Sequence, residues 1–263
     1  MTGAVGPTAR RVHQASHRRR ETERPALLRL ALLAAALLIV YGLLAPHLPR
    51  LSLRPGMVVA LAVNLTLFAL LCVGLLPLRG AGGSGLLLGL AGAAAGALFT
   101  ALGWAAAADV GKILFAAALG FWLAEQIESV GIVVLIAALS VVVDIVSVFW
   151  GPTRAILEHA PASLGYFTVA LGWPGYDPSR VFTALGVSDL IFFCLYLGAA
   201  RRFRLRAAAT VVGMCLSVVV SVVVGLRISA VPALPLLAVA LVGVNADLLL
   251  RRRAAGRARG GRA

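Results

Sequence analysis

Of the 263 residues, 61% are hydrophobic and 13% charged, and the mean hydropathy is +0.97. A soluble globular domain carries about 25% charged residues, so this composition excludes one. Twenty-four basic residues against ten acidic give a net charge of +14. Seventeen of the 24 fall in three arginine clusters, Arg10–Arg29, Arg201–Arg206 and Arg251–Arg262. Beside long apolar runs these read as topology signals rather than a nucleic-acid surface, and no nucleic-acid partner is expected.

A helix crosses the hydrocarbon core with about 20 apolar residues. Residues 1–25 form a basic tail, expected to be disordered and cytoplasmic, too long and arginine-rich for a cleaved signal peptide. Four spans follow at Ala26–Leu44, Gly56–Leu78, Gly85–Trp104 and, shorter, Val110–Ala124. Asp109, Lys112 and Glu125 crowd the fourth, and Lys112, the only lysine, is long enough to snorkel to the interface. In the third, Gly85, Gly89, Gly92 and Gly96 are spaced for close helix packing. The fifth span is Val130–Trp150, and Gly151–Arg180 is the one long loop. Its apolar stretch Leu164–Trp173 is too short to cross and is closed by Pro174, Gly175 and Pro178, so it either dips into the outer leaflet or packs on the bundle. Spans at Val181–Ala200, Ala207–Leu226 and Val231–Leu250 lead to a second disordered basic tail, residues 251–263. The expected fold is an all-α polytopic transmembrane bundle of eight spans, with residues 26–250 as its membrane domain.

With both termini inside, the inner side holds Arg79, the Arg201–Arg206 run and the C-terminal arginines, while the outer loops hold isolated arginines. This bias favours cytoplasmic termini. Trp104, Trp150 and Trp173 lie near predicted span ends. Cys72, Cys194 and Cys215 all sit inside apolar runs, against a disulfide framework or a zinc cluster. Arginine used in place of lysine, with much alanine and glycine, suggests a GC-rich bacterial genome and hence a bacterial inner membrane.

The acids narrow the search for chemistry. Glu21 and Glu23 are in the tail, and Asp109, Glu125, Glu128, Glu158 and Asp177 are in or beside loops. Asp144, Asp189 and, near a helix end, Asp247 lie within apolar runs, where an ionisable residue is a functional candidate by default. Asp144 is six residues from the outer end of the fifth span and Asp189 eight from the same face of the sixth, depths of about 9 Å and about 12 Å at 1.5 Å per residue. Two carboxylates sharing a low-dielectric site keep one proton between them and titrate as a unit. One then deprotonates a water while the other donates to a scissile carbonyl. The same two acids also suit a transporter that binds a proton, an ion or a polar solute.

The surroundings of the pair carry a resemblance. Asp144 stands in Ser140-Val141-Val142-Val143-Asp144, Asp189 in Leu185-Gly186-Val187-Ser188-Asp189, and the last span opens Val231-Pro232-Ala233-Leu234-Pro235. From about Ile113 to Leu250 this resembles the presenilin and signal peptide peptidase family of intramembrane aspartyl proteases. That family has a Tyr-Asp motif, a Gly-x-Gly-Asp motif on the next helix and a Pro-Ala-Leu motif opening its final helix. The resemblance implies that Asp144 and Asp189 are catalytic, that Gly186, Val187 and Ser188 lie beside the scissile peptide, and that Pro232, Ala233 and Leu234 border the site. Pro232 lacks an N–H and breaks the helix start, freeing backbone groups for an extended substrate. The substrates implied are transmembrane or signal-peptide-like segments entering from the lipid bilayer into a water-accessible cavity between the fifth, sixth and eighth spans, with no metal and no cofactor. Val143 stands where the family has tyrosine, and Ser188 where it has the second glycine. The family has nine spans against eight here, and the ninth would be N-terminal. The arginine run after the sixth span gives the orientation of signal peptide peptidase rather than presenilin.

An inactive scaffold of the same fold, holding membrane segments without cutting them, is the third reading beside protease and transporter. A metalloprotease needs H-E-x-x-H on a helix, and Glu158-His159 is not one. A rhomboid-like serine protease needs a histidine within the bundle, whereas His13 and His17 are in the tail and His47 and His159 in loops. Prepilin peptidases share a Gly-x-Gly-Asp motif, but act near the cytoplasmic face and leave the Pro-Ala-Leu segment unexplained. Asp247, beside Asn245 and Arg251, is expected to make a local ion pair or cap.

Overall fold

The computed structural model describes residues 7–150, 159, 163–176, 184–228 and 231–251. In chain order the helices are α1 (Pro7–Leu44), α2 (Leu53–Gly74), α3 (Gly82–Ala101), α4 (Ala105–Gln126), α5 (Val130–Trp150), the single turn α6 (Leu164–Phe167), α7 (Val187–Arg202), α8 (Ala207–Ile228) and α9 (Leu234–Val244). Two three-residue strands, β1 (Thr168–Ala170) and β2 (Ala184–Gly186), stand between α6 and α7. They pair antiparallel, with Thr168 opposite Gly186, Val169 opposite Leu185 and Ala170 opposite Ala184. The described residues form a helical bundle with one small ribbon, so among them the all-α expectation holds but for six residues.

Among the described residues six helices are long and apolar enough to cross a membrane: Glu23–His47, Leu53–Leu78, Gly82–Ala101, Ala105–Gln126, Val130–Val148 and Ala207–Gly225. The protein is membrane-embedded. The crowded fourth span, expected to be short, is a full helix of 22 residues. The sixth and eighth expected spans are not helices of spanning length. Ala184–Gly186, immediately before Val187, are strand, and residues 181–183 lie outside the described residues, so α7 has 16 residues, about 24 Å. Prolines at the start of α9 and a turn at Asn245 confine it to 11 residues, about 16 Å, and helix resumes beyond the turn over residues 246–251. At the other end of the chain α1 begins at Pro7, so residues 7–25, expected to be unstructured, continue the helix; residues 252–263 lie outside the described residues.

Lipid is as apolar as a leucine side chain, so helices in it associate through close packing and hydrogen bonds. The α3–α4 contact follows this rule. A Cβ on Gly92 would lie 2.9 Å from the Gly111 carbonyl, one on Gly111 2.7 Å from the Gly92 carbonyl, and one on Gly89 2.6 Å from Ala118 Cβ. The glycines read from sequence as packing residues are all buried. On its next face α4 carries α7. Gly120 rests on the Ile191 carbonyl and Cys194, Gly198 rests on Ala124 and Phe121, and the side chains of Phe121 and Tyr196 are fully buried there.

Polar groups tie the two ends. At the arginine-rich end Glu125 takes Arg79 at 2.5 Å and Arg202 at 3.0 Å. Beside them Asn245 accepts from Arg206 N–H and donates to Thr210 Oγ1 and Leu241 O, all at 2.9 Å. Asp247 makes the expected ion pair, though with Arg206, at 2.8 and 2.9 Å, rather than Arg251. At the opposite end the stretch Leu164–Trp173 packs on the bundle: Val169, Leu171 and Trp173 are buried, and Gly172 O accepts from Tyr41 and Asn64. Trp173 is therefore a core residue, whereas Trp104 and Trp150 are exposed at helix ends as expected.

Candidate functional site

Asp144 lies on α5, half-buried, and its Oδ2 accepts the backbone N–H of Leu234 at 3.0 Å. Leu234 opens α9, and the first N–H groups of a helix have no partner within it. In hydrocarbon, where no water can substitute, a carboxylate from a neighbouring helix satisfies that need. Asp189 sits differently from expectation. It is the third residue of α7 rather than the ninth of a longer span, and its Oδ2 accepts the N–H of Gly186 at 3.1 Å. The acid reaches back to the residue preceding its helix, one half of a capping box.

The two aspartates lie on facing stripes of α5 and α7. Ser140, one turn before Asp144, and Tyr196, two turns after Asp189, meet across these helices with oxygens 3.0 Å apart. Residues at i and i+4, or i and i+7, share a helix face. With 1.5 Å per residue, Asp144 stands about 6 Å and Asp189 about 10 Å above this tie, on the same side of it. The depths of about 9 and about 12 Å read from sequence differ by about 3 Å, and the helical rise from the tie sets the two acids about 4 Å apart along the axis.

Gly186 ends β2 and caps α7, with φ −64° and ψ 142°. A Cβ there would come 3.0 Å from Asp189 Oδ2 and 3.2 Å from Ser188 Oγ, so the glycine makes room for the carboxylate. Ser188 is exposed and Val187 half-buried; Pro232 is half-buried, Ala233 and Leu234 buried. The structure thus brings Asp144 onto the Pro-Ala-Leu segment by a direct hydrogen bond and groups Gly186, Ser188 and Asp189 around one turn. Val143 is 65% exposed and turned outward.

Sequence reasoning missed two parts of this arrangement. The Ser140–Tyr196 tie was visible as isolated polar residues at helical spacing from each aspartate. Asp109 and Lys112, read as a loop acid and a snorkelling lysine, are both buried and paired at 3.1 Å; their i, i+3 spacing was the available signal. Glu158 and Asp177 lie outside the described residues. No group of three or more metal-ligating side chains occurs among the described residues, where all three cysteines are free thiols.

A cavity of about 530 Å³ lies near the end opposite the arginines, lined by Leu38, Gly42, Asn64, Trp104, Asp109 and Trp173 among others. Neither Asp144 nor Asp189 lines it, so it is not the space expected between the fifth, sixth and eighth spans. No protein-family model, curated protein or solved structure matches the chain.

Proposed function

We propose that the protein is an intramembrane aspartyl endopeptidase that cuts peptide bonds in or near transmembrane segments, with Asp144 and Asp189 as its catalytic pair. The observation that carries this reading is the Asp144–Leu234 hydrogen bond. It joins the first aspartate to the Pro-Ala-Leu segment, on a helix whose polar stripe faces the helix of the second aspartate. Each carboxylate spends one oxygen on a backbone N–H, leaving the other for water or substrate.

The chemistry follows from one proton shared by two acids. The ionised member takes a proton from water as its oxygen attacks the scissile carbonyl carbon, and the protonated member donates to the carbonyl oxygen. Collapse of the tetrahedral species expels the amine, which leaves with the proton taken from water, while a hydroxyl of the gem-diol returns its proton to the carboxylate that donated it. Strand β2 supports an extended substrate. Its Leu185 faces β1, so by the alternation of an antiparallel ladder the backbone of Ala184 and the carbonyl of Gly186 face the open edge. Gly186, Val187 and Ser188 border the scissile peptide on one side, Pro232, Ala233 and Leu234 on the other. No metal or cofactor enters. The membrane is the bacterial inner membrane, with both termini cytoplasmic; Arg79, Arg202 and Arg206, gathered by Glu125 and Asp247 at one end of the bundle, support that orientation.

Asparagine is the informative replacement, because its amide oxygen still accepts from Leu234 or Gly186. Asp144→Asn and Asp189→Asn are each expected to abolish cleavage of a membrane-anchored reporter while the protein accumulates normally. Aspartate-dependent movement of a solute by purified protein that never cuts such reporters replaces this reading with the transporter. Binding of a hydroxyl-bearing transition-state mimic separates an active pair from an inactive scaffold.

A further inference from the structure

The ribbon that presents Gly186 to Asp189 has three residues in each strand, too few to persist alone. Something must hold the edge of β1 that β2 does not cover. That edge exposes the carbonyl of Thr168 and the N–H of Ala170, alternate residues whose backbone groups point the same way. Lys112 Nζ donates to Thr168 O at 2.8 Å, and Asp109 Oδ2 accepts from Ala170 N–H at 3.2 Å. Lys112 Nζ and Asp109 Oδ1 close the triangle at 3.1 Å, with both side chains under 10% exposed. A neighbouring strand would offer that edge one donor and one acceptor; the ion pair offers the same two groups from a helix.

Stability alone does not account for the pair. Desolvating two charges costs several kcal/mol each, and apolar residues of similar volume commonly serve as well. What apolar residues cannot do is bond a strand edge in a medium without water. The consequence reaches the site, because Thr168, held by Lys112, lies directly opposite Gly186, whose N–H holds Asp189. Helix α4 supplies both references: its first turns carry the ion pair, and Gly120 seats α7.

We infer that Asp109 and Lys112 are positioning residues, an ionic substitute for a third strand that fixes the ribbon's register and, through Gly186, the placement of Asp189. The consequence for cleavage rests on the protease reading; the consequence for the ribbon does not.

The test replaces both charges together, Asp109→Leu/Lys112→Met, so that no unpaired ion is left to unfold the protein. Cysteines at the facing positions, Ala170→Cys/Ala184→Cys, report the register: facing Cα atoms in such a ladder are about 4.5–5.5 Å apart, within disulfide reach. Mild oxidation in membranes, read by peptide mapping, is expected to link positions 170 and 184 in the otherwise unsubstituted chain. The link should be largely lost when the ion pair is replaced and retained in Lys112→Arg, which keeps the donor. Without the added cysteines, the charge-free variant is expected to lose about tenfold in kcat with little change in KM, as for a displaced catalytic group, and Lys112→Arg to recover most of it. A link that forms equally well without the ion pair overturns the inference, as does failure of the link in the unsubstituted background. Absence of cleavage even from the unsubstituted chain sinks the protease reading and leaves the crosslink to decide this one.

Discussion

One methyl group added at Gly186 probes the site where it is tightest. The backbone there is extended, with φ −64° and ψ 142°, so alanine fits without conformational strain. Its opposing effects on unfolded-chain entropy and on helix capping are each of about 1 kcal/mol or less, and stability should change little. The contact is another matter. The new Cβ would stand 3.0 Å from Asp189 Oδ2, whereas carbon and oxygen rest at about 3.3–3.6 Å. The carboxylate must therefore retreat by about 0.3–0.6 Å, comparable to the roughly 0.5 Å that a catalytic group tolerates. Since a displacement of about 1 Å costs about 100-fold, Gly186→Ala should lower reporter cleavage about tenfold. Initial rates on a membrane-anchored reporter, paired with thermal unfolding in detergent, separate the two effects. Rates within twofold of the unsubstituted chain, with unfolding unchanged, would refute the argument that Gly186 makes room for Asp189.

Other perturbations sort by what each group touches. Ser188→Gly removes an exposed hydroxyl and is expected to preserve or raise cleavage; a loss in the same assay gives the hydroxyl a role of its own. Gly120→Ala drives a methyl group into the Ile191 carbonyl and Cys194, and overpacking of this kind costs about 1–3 kcal/mol, read as a lower unfolding temperature together with reduced cleavage. Glu125→Ala strands two partly exposed arginines; screening limits the loss to about 1 kcal/mol, and thermal unfolding should show recovery in Glu125→Gln.

The apolar runs marked the long helices to within a few residues because length and hydropathy alone decide what crosses a bilayer. The same signal failed at α7 and α9. Hydropathy continues through Ala184–Gly186 and on to Leu250, so it does not register where backbone hydrogen bonding changes from helix to strand, or where Asn245 turns the chain. The ribbon itself was illegible, since three-residue strands carry no period and their pairing joins residues far apart in sequence. Asp144 and Asp189 stood out because charge is rare at membrane depth. Their immediate partners, the N–H groups of Leu234 and Gly186, are main-chain atoms that no side-chain pattern announces. Lys112 was misread for a related reason: a long basic side chain near a helix end can reach water, and only the position of Thr168 turns it inward.

Helix α9 covers about 16 Å of a hydrocarbon layer about 30 Å deep. Ala233 and Leu234 at its start are nonetheless buried among the other helices, so the proline-broken backbone there is shielded from lipid by protein. What keeps the Leu234 N–H for Asp144 is therefore the packing of neighbouring helices over that turn, and a substitution that opens this packing exposes both groups together.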